Sequence, residues 1–250
     1  MRLGLALGGG GALGIGHIPV LEALDDLQIR PVAVAGTSMG AILGAAYAAG
    51  MSAAEIRAEA LRLAARPFET LRRFSGSIAP PGWTRPVALD PGMVIERLMA
   101  DFVPERFEDM PIPVTVIATD WYARQEIAFS SGPLRPAIAA SIAIPLVFRP
   151  ECRQGRVMVD GGLTNNVPFD HLGGADVRLA VDVASAPVEG SDALPGTIAT
   201  AMGSIRVMMT AMLDVRLAHT RPDILIRPGS RRFQPLDFNR VPEILEAAAP

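Results

Sequence analysis

Lysine is missing from this 250-residue chain, and all 23 of its basic side chains are arginine. That excludes Schiff-base catalysis and the phosphate-binding lysine of P-loop enzymes. Cysteine is almost missing as well. Cys152 stands alone, so no internal disulfide framework and no thiolate zinc or iron–sulfur site can form, and a reducing compartment is expected. With the three histidines, His17, His171 and His219, scattered, a metal centre would have to be built from carboxylates, and no metal is expected. Runs of like charge are absent, and the net charge is only −3, so nucleic acid is not an expected partner. Two uncharged stretches, 3–21 and 31–51, are long enough to span a bilayer. Both are broken by glycines, and each divides into a strand-like half and a helix-like half. The same glycines interrupt the apolar run after Met1-Arg2 where a signal peptide needs continuous leucine-type residues. A cytoplasmic protein is expected, at most peripheral to a membrane.

What is present is apolar: half of the residues are hydrophobic, and mean hydropathy is +0.30. A chain of this length forms one domain, 1–250, that buries about three-quarters of its unfolded surface without staples. Leu3 to Leu7 reads as a strand, the next four residues are glycine, and Ile15, Ile18, Leu21, Leu24 and Leu27 then recur every third residue in a helix. A second βα unit follows: a strand at Val32 to Ala35, the turn Gly36 to Gly40, and a small-residue helix Ala41 to Ala49. Ser52 caps a helix from Ala53 to Ala65. From 67 to 91 the texture of Phe68, Phe74, Pro80-Pro81, Trp83 and Pro86 has no period and predicts a surface excursion or cap. Beyond it the pattern predicts helices at Gly92 to Ala100, Leu134 to Ile142 and Thr197 to His219, and a short one at the C-terminus. Strands are expected at Val114 to Thr119, Gln125 to Ser130, Val157 to Asp160, Arg178 to Val183 and Ile224 to Ile226. Strands alternating with helices imply an α/β fold of three layers, with a largely parallel sheet between helices.

The sharpest chemical signal is Gly36-Thr37-Ser38-Met39-Gly40, a G-x-S-x-G sequence between a buried strand and a helix. Glycines two residues either side leave room for a serine to stand at the apex of a strained turn, with its Oγ at the carboxyl end of the sheet. The following helix directs the Met39 N–H at that point. The histidines suit the role of base poorly: His17 lies within an apolar helical pattern, His171 follows the Asp160 turn too closely, and His219 ends a helix. Asp160 is the better base, because it leaves an apolar strand into Gly161-Gly162, and it is expected, like Ser38, at the carboxyl end of a parallel strand. The glycines from Gly8 to Gly11 again join a strand to a helix, where backbone N–H groups converge on an anion. The spacing Gly9-x-Gly11-x-x-Gly14 also satisfies a dinucleotide fingerprint, which keeps nucleotide binding open. The acidic residue that fingerprint needs at the end of the second strand is replaced by Gly36-Thr37-Ser38.

Four blocks in this order resemble the patatin-like phospholipase family: Leu7 to Leu21, Gly36 to Ala41, Ala140 to Pro145, and Asp160 to Pro168. The resemblance implies a patatin-like three-layer fold and a serine acyl hydrolase acting on lipid or other acyl esters. Ser38 would be the nucleophile and Asp160 the base, with Gly9, Gly10 and Gly11, together with Met39, as the oxyanion hole. No cofactor is implied. The family usually places a basic residue after its glycines, and this chain has Leu13. Met202, Met208, Met209 and Met212, with Ile205 and Leu213, either line an acyl groove or form ordinary core. A short-chain esterase or thioesterase on the same dyad, and a weakly active lipid or nucleotide sensor, are the alternatives. Oligomeric state is not legible.

Overall fold

The computed structural model describes residues 1–65, 89–185, 194–228 and 232–249. Of the expected cap, 67–88 lies outside the described residues. Its last residues form an isolated bridge from Leu89 to Phe148 and the N-cap of a helix, Asp90.

The sheet contains β1 (Leu3–Leu7), β2 (Ala33–Thr37), β3 (Val114–Asp120), β4 (Gln125–Phe129), β5 (Glu151–Arg153), β6 (Arg156–Asp160), β7 (Val177–Val181) and β8 (Ile224–Ile226). Their order is β5-β6-β3-β2-β1-β7-β8, with β4 paired to β3. The helices are α1 (Ile18–Asp26), α2 (Met39–Ala48), α3 (Ala53–Ala64), α4 (Pro91–Met99), α5 (Leu134–Ser141), α6 (Thr197–His219) and α7 (Val241–Ala248). The expected class holds: helices cover both faces of a sheet whose centre, β3-β2-β1-β7-β8, is parallel.

Three local differences have physical reasons. The apolar repeat of three that begins at Ala12 is first realised as a 3₁₀ helix, Gly11–His17, before it becomes α1; a 3₁₀ turn holds three residues, so that spacing fits it directly. The hairpin strand β5 was not expected, because its three residues carry no periodic signal. Most consequential, β6 is antiparallel to β3. β2 pairs with β3 as far as Thr37 opposite Ile117. β6 pairs with Asp160 opposite Ala118. Strand β4 faces both Ile117 and Ala118, so it occupies the other edge of β3. The two strands therefore lie end to end along one edge of β3, and their C-terminal ends meet.

Alternation of size divides the sheet into unequal faces. Leu3, Leu5, Leu7, Val34, Leu179 and Val181 point into the large core shared with α1 to α5 and α7. Ala6, Ala35 and Ala180 point the other way, into a small core with Val167, Phe169, Leu172 and Leu213 of α6. Small side chains on that second face let the 161–172 segment and α6 lie close to the sheet. Helix α6 is about 35 Å long with its apolar residues spread around its circumference, yet among its described side chains only Leu213 is fully buried. Among the described residues no helix is long and apolar enough to cross a membrane.

Candidate active site

Ser38 stands at the junction of β2 and α2 with φ 55° and ψ −122°, a conformation that L-residues rarely adopt and that needs the surrounding structure to hold it. The flanking glycines are enforced by contact. A Cβ on Gly36 would lie 2.6 Å from the Gly40 carbonyl, and one on Gly40 would run into the carbonyls of Leu7 and Gly8. The elbow thus presses against the end of β1, and the Ser38 side chain is nearly enclosed, at 3% exposure.

The end-to-end meeting of β2 and β6 brings Asp160 to Ser38. The Asp160 Oδ1 accepts the Gly162 N–H at 2.7 Å. Among the described residues no donor meets its buried Oδ2 with hydrogen-bond geometry. Burial pushes this carboxyl up to about 6, while the Ser38 hydroxyl and the Gly162 N–H act in the opposite direction. The turn that ends α5 holds both partners from behind. Ser141 Oγ accepts the Ser38 N–H at 2.8 Å, and the Ala143 carbonyl accepts the Asp160 N–H at 3.1 Å. Ser141 was legible only as part of a resembling block, and its fully buried hydroxyl turns out to anchor the elbow.

The glycine loop lies on the other side of Ser38. Its donors are not equivalent. Gly8 N–H is given to Val181, Gly9 N–H to Asn166 and Ala12 N–H to Pro235. Among the described residues the N–H groups of Gly10, Gly11 and Met39 have no acceptor. Of the four N–H groups expected to face an oxyanion, three are free in this structure and that of Gly9 is committed. Asn166 grips Gly9 twice, since its Nδ2 also donates to the Gly9 carbonyl at 3.2 Å. Leu13, at the position where resemblance led one to expect a cation, is wholly buried in the large core.

The histidines lie where they cannot serve Ser38. His17 is fully buried and donates from Nε2 to the Gly8 carbonyl at 2.7 Å. Burial lowers it to about 4, against the opposing effects of that carbonyl and of Asp182, so it is a neutral support for the glycine loop. His171 pairs with Glu126, and that hydrogen bond raises its proton affinity. His219 donates from Nδ1 to the Val215 carbonyl within its own helix. Glu126, Asp170 and His171 are close enough together to suggest a cation site, but Arg216 of α6 already binds both carboxylates at 2.7 Å. This network went unseen in the sequence, since its members are separated by up to 90 positions. The methionine stripe of α6 divides: Met208 and Met212 are exposed, whereas Met209 reaches Gly162, where an added Cβ would lie 2.6 Å from its Cε.

Comparison with known proteins bears on the family and the fold. Residues 5–172 match the family model described as patatin-like phospholipase. An uncharacterized NTE family protein of Mycobacterium tuberculosis is 36% identical over 89% of this chain. Lysophospholipase nte1 of Aspergillus fumigatus is 32% identical over 73% of it. The chain spans 60% of the mycobacterial protein and 12% of the fungal one. In fold it is similar to VipD from Legionella pneumophila, with a TM-score of 0.54 at 16% identity, covering 99% of this chain and 64% of that one.

Proposed function

Because this chain belongs to the patatin-like phospholipase family, we propose that it is a serine hydrolase of lipid acyl esters, of phospholipase A or lysophospholipase type. Ser38 is the nucleophile and Asp160 its base. The observation that carries this reading is the junction of β2 and β6 on one edge of β3, which sets a strained serine beside a buried carboxyl whose Oδ2 has no other donor among the described residues.

In the reaction Ser38 Oγ attacks the ester carbonyl carbon as Asp160 Oδ2 takes its proton. The carbonyl oxygen becomes an anion facing the N–H groups of Gly10, Gly11 and Met39. Asp160 then returns the proton to the departing alcohol, leaving an acyl-serine that water hydrolyses. An ordinary carboxylate is a weak base for an alcohol. Raising it to about 6 brings it near the pH at which the enzyme would operate, where a base is most effective. A protonated Asp160 is neutral and contributes no cation beside the oxyanion. The backbone donors and the α2 N-terminus must supply that field, and each well-placed donor is worth roughly 2.7–4 kcal/mol.

The loop favours an oxyanion over a dinucleotide. Three of its N–H groups, those of Gly8, Gly9 and Ala12, already serve protein carbonyls, which leaves few for a diphosphate. A lipid substrate is supported by the lysophospholipase name of the fungal relative. Peripheral membrane contact is supported by the exposed apolar side chains of α6, Val207, Met208 and Val215. The test is labelling with a fluorophosphonate followed by peptide mapping, together with hydrolysis of lysophosphatidylcholine and of p-nitrophenyl esters of graded chain length. Label on Ser38 and a preference for long acyl chains support the reading. Preference for short chains or thioesters moves it to the esterase alternative, and absence of label overturns it.

A further inference from the structure

Asn166 does more than hold the glycine loop. Its backbone oxygen and its Nδ2 are both engaged with Gly9, but its Oδ1 is buried and has no donor among the described residues. Native proteins rarely leave such an acceptor unpaired. Its position explains the exception. The Oδ1 lies 2.9 Å from the point where a Cβ on Gly162 would stand, and Asp160 Oδ1 lies 2.9 Å from the same point. It also lies 2.8 Å from where a Cβ on Gly9 would stand, a point itself 3.1 Å from Ser38 Cβ. Asn166 Oδ1 therefore lies close to both the Asp160 carboxyl and Ser38, and among the described residues neither it nor Asp160 Oδ2 meets a donor with hydrogen-bond geometry. Ser38 is the donor that Asp160 meets before acylation, whereas Asn166 Oδ1 is shut off from bulk solvent with no such partner, so the donor it awaits is one that the reaction itself brings in.

We propose that Asn166 is a catalytic residue of the deacylation half-reaction, its Oδ1 accepting one hydrogen of the water that Asp160 activates. The inference rests on the reading of Ser38 and Asp160 as nucleophile and base. When the alcohol leaves, water takes its place with one O–H directed at Asn166 Oδ1 and the other at Asp160 Oδ2. The water oxygen attacks the acyl carbon, and the proton facing Asp160 transfers to Oδ2. The tetrahedral intermediate collapses with cleavage of the bond to Ser38 Oγ, and Asp160 returns the proton to that oxygen. The fatty acid departs with the remaining water hydrogen and ionises in solvent. Two acceptors fix the water's orientation where one would leave it free to rotate, so its lone pair faces the carbon.

Pre-steady-state hydrolysis of a p-nitrophenyl ester by the full chain tests this. In Asn166→Ala the initial burst of p-nitrophenol and the rate of fluorophosphonate labelling, which report attack by Ser38, should fall severalfold at most, through loss of the Nδ2 grip on Gly9. Steady-state turnover should fall roughly ten- to hundredfold, as expected for loss of one hydrogen bond to a reacting water. Acyl-Ser38 should then accumulate and be visible by mass on its peptide. Burst, labelling and turnover falling by the same factor would mean that Asn166 acts only through the glycine loop, and would overturn the proposal. So would unchanged turnover. If Asn166→Ala does not fold, Asn166→Asp decides, because it keeps an oxygen at the same place. It should retain deacylation with a pH profile moved upward by the second carboxylate beside Asp160. An unshifted profile would overturn the proposal. An unsubstituted protein with neither burst nor label would instead overturn the dyad on which the proposal rests.

Discussion

The two faces of the sheet differ in depth, and the difference separates stability from chemistry. One face carries Leu3, Leu5, Leu7, Val34, Leu179 and Val181 under six helices, so each large side chain is enclosed by several elements. The other carries alanines at the intervening positions under the 161–172 segment and a single helix, α6. The first face resembles an ordinary domain interior, where packing density makes every methylene count. The second is held by polar ties: Arg206 Nε to the Ala184 carbonyl, Arg216 to Glu126 and Asp170, and Thr37 Oγ1 to the Asn165 carbonyl. Asp160 and Asn166 belong to this second assembly. A functional segment secured by a few directed bonds is ordered without being welded to the core, which suits the proposed acyl-ester site.

The largest expected effect tests whether chemistry is confined to the thin side. Ser38→Ala, Asp160→Asn and the double variant should each reduce kcat/KM by roughly a thousandfold or more, and the double should lose little beyond either single, as groups acting as a unit do. Additive losses in the three measured rates would break the dyad. Asp160→Asn should meanwhile be more stable than the parent at neutral pH. A carboxyl raised from 3.8 to about 6 on folding favours the fold below the lower value, and that contribution is lost as pH rises through the upper one. The loss is at most about 3 kcal/mol. Thermal midpoints at pH 4 and pH 7.5 should show the variant's advantage only at the higher pH.

On the deep face, Leu5→Ala should cost about 3–5 kcal/mol, and Leu213→Ala, whose site can collapse onto the small core, about 2 kcal/mol. Equal costs in denaturant titration would remove the distinction between the faces. Leu13→Arg sharpens it from the other direction. The residue is fully enclosed in the large core, so an unpaired guanidinium there should destabilise by several kcal/mol and give no gain in rate. A mutant with normal melting and faster turnover would mean that the side chain escapes to the oxyanion.

A smaller effect concerns pH. Since Asp160 must be ionised to accept the Ser38 proton, kcat/KM should rise through about 6 and level off above it. A profile flat from pH 5 to 8 would count against Asp160. The smallest effect is Arg216→Ala. Its ion pairs are partly solvated, so global stability should change by about 1 kcal/mol or less. Hydrogen exchange along 197–219 should accelerate while that of β1 and β7 does not. Uniform acceleration would show that α6 is as integral as the deep-face helices.

Much of the fold was legible because its signals are local. The strand at Leu3–Leu7, the Ser52 cap and the span of α6 follow from alternation, capping chemistry and apolar content within a dozen or so residues. The G-x-S-x-G elbow was legible for the same reason: five consecutive residues carry both its glycines and its serine. The antiparallel arrival of β6 was not legible, because strand direction depends on the 35-residue path between β3 and β6 and not on either sequence. Nor was the division of labour among the loop donors. Gly9 and Gly10 are chemically identical, and only the neighbouring Asn166, 157 positions away, occupies the N–H of one and leaves the other free.

By itself, then, the sequence determined that there is an elbow with a strained serine, that an aspartate leaves a strand into two glycines, and that no histidine is well placed to serve as base. These follow from the steric demands of individual residues on their own backbone. Tertiary structure alone decided that the two strand ends meet on one edge of β3, that Leu13 is core, and that Asp160 and Asn166 converge with unpaired oxygens. Those outcomes depend on burial and on contacts between distant segments, which raise a carboxyl's proton affinity or occupy a donor only after the chain has closed around them.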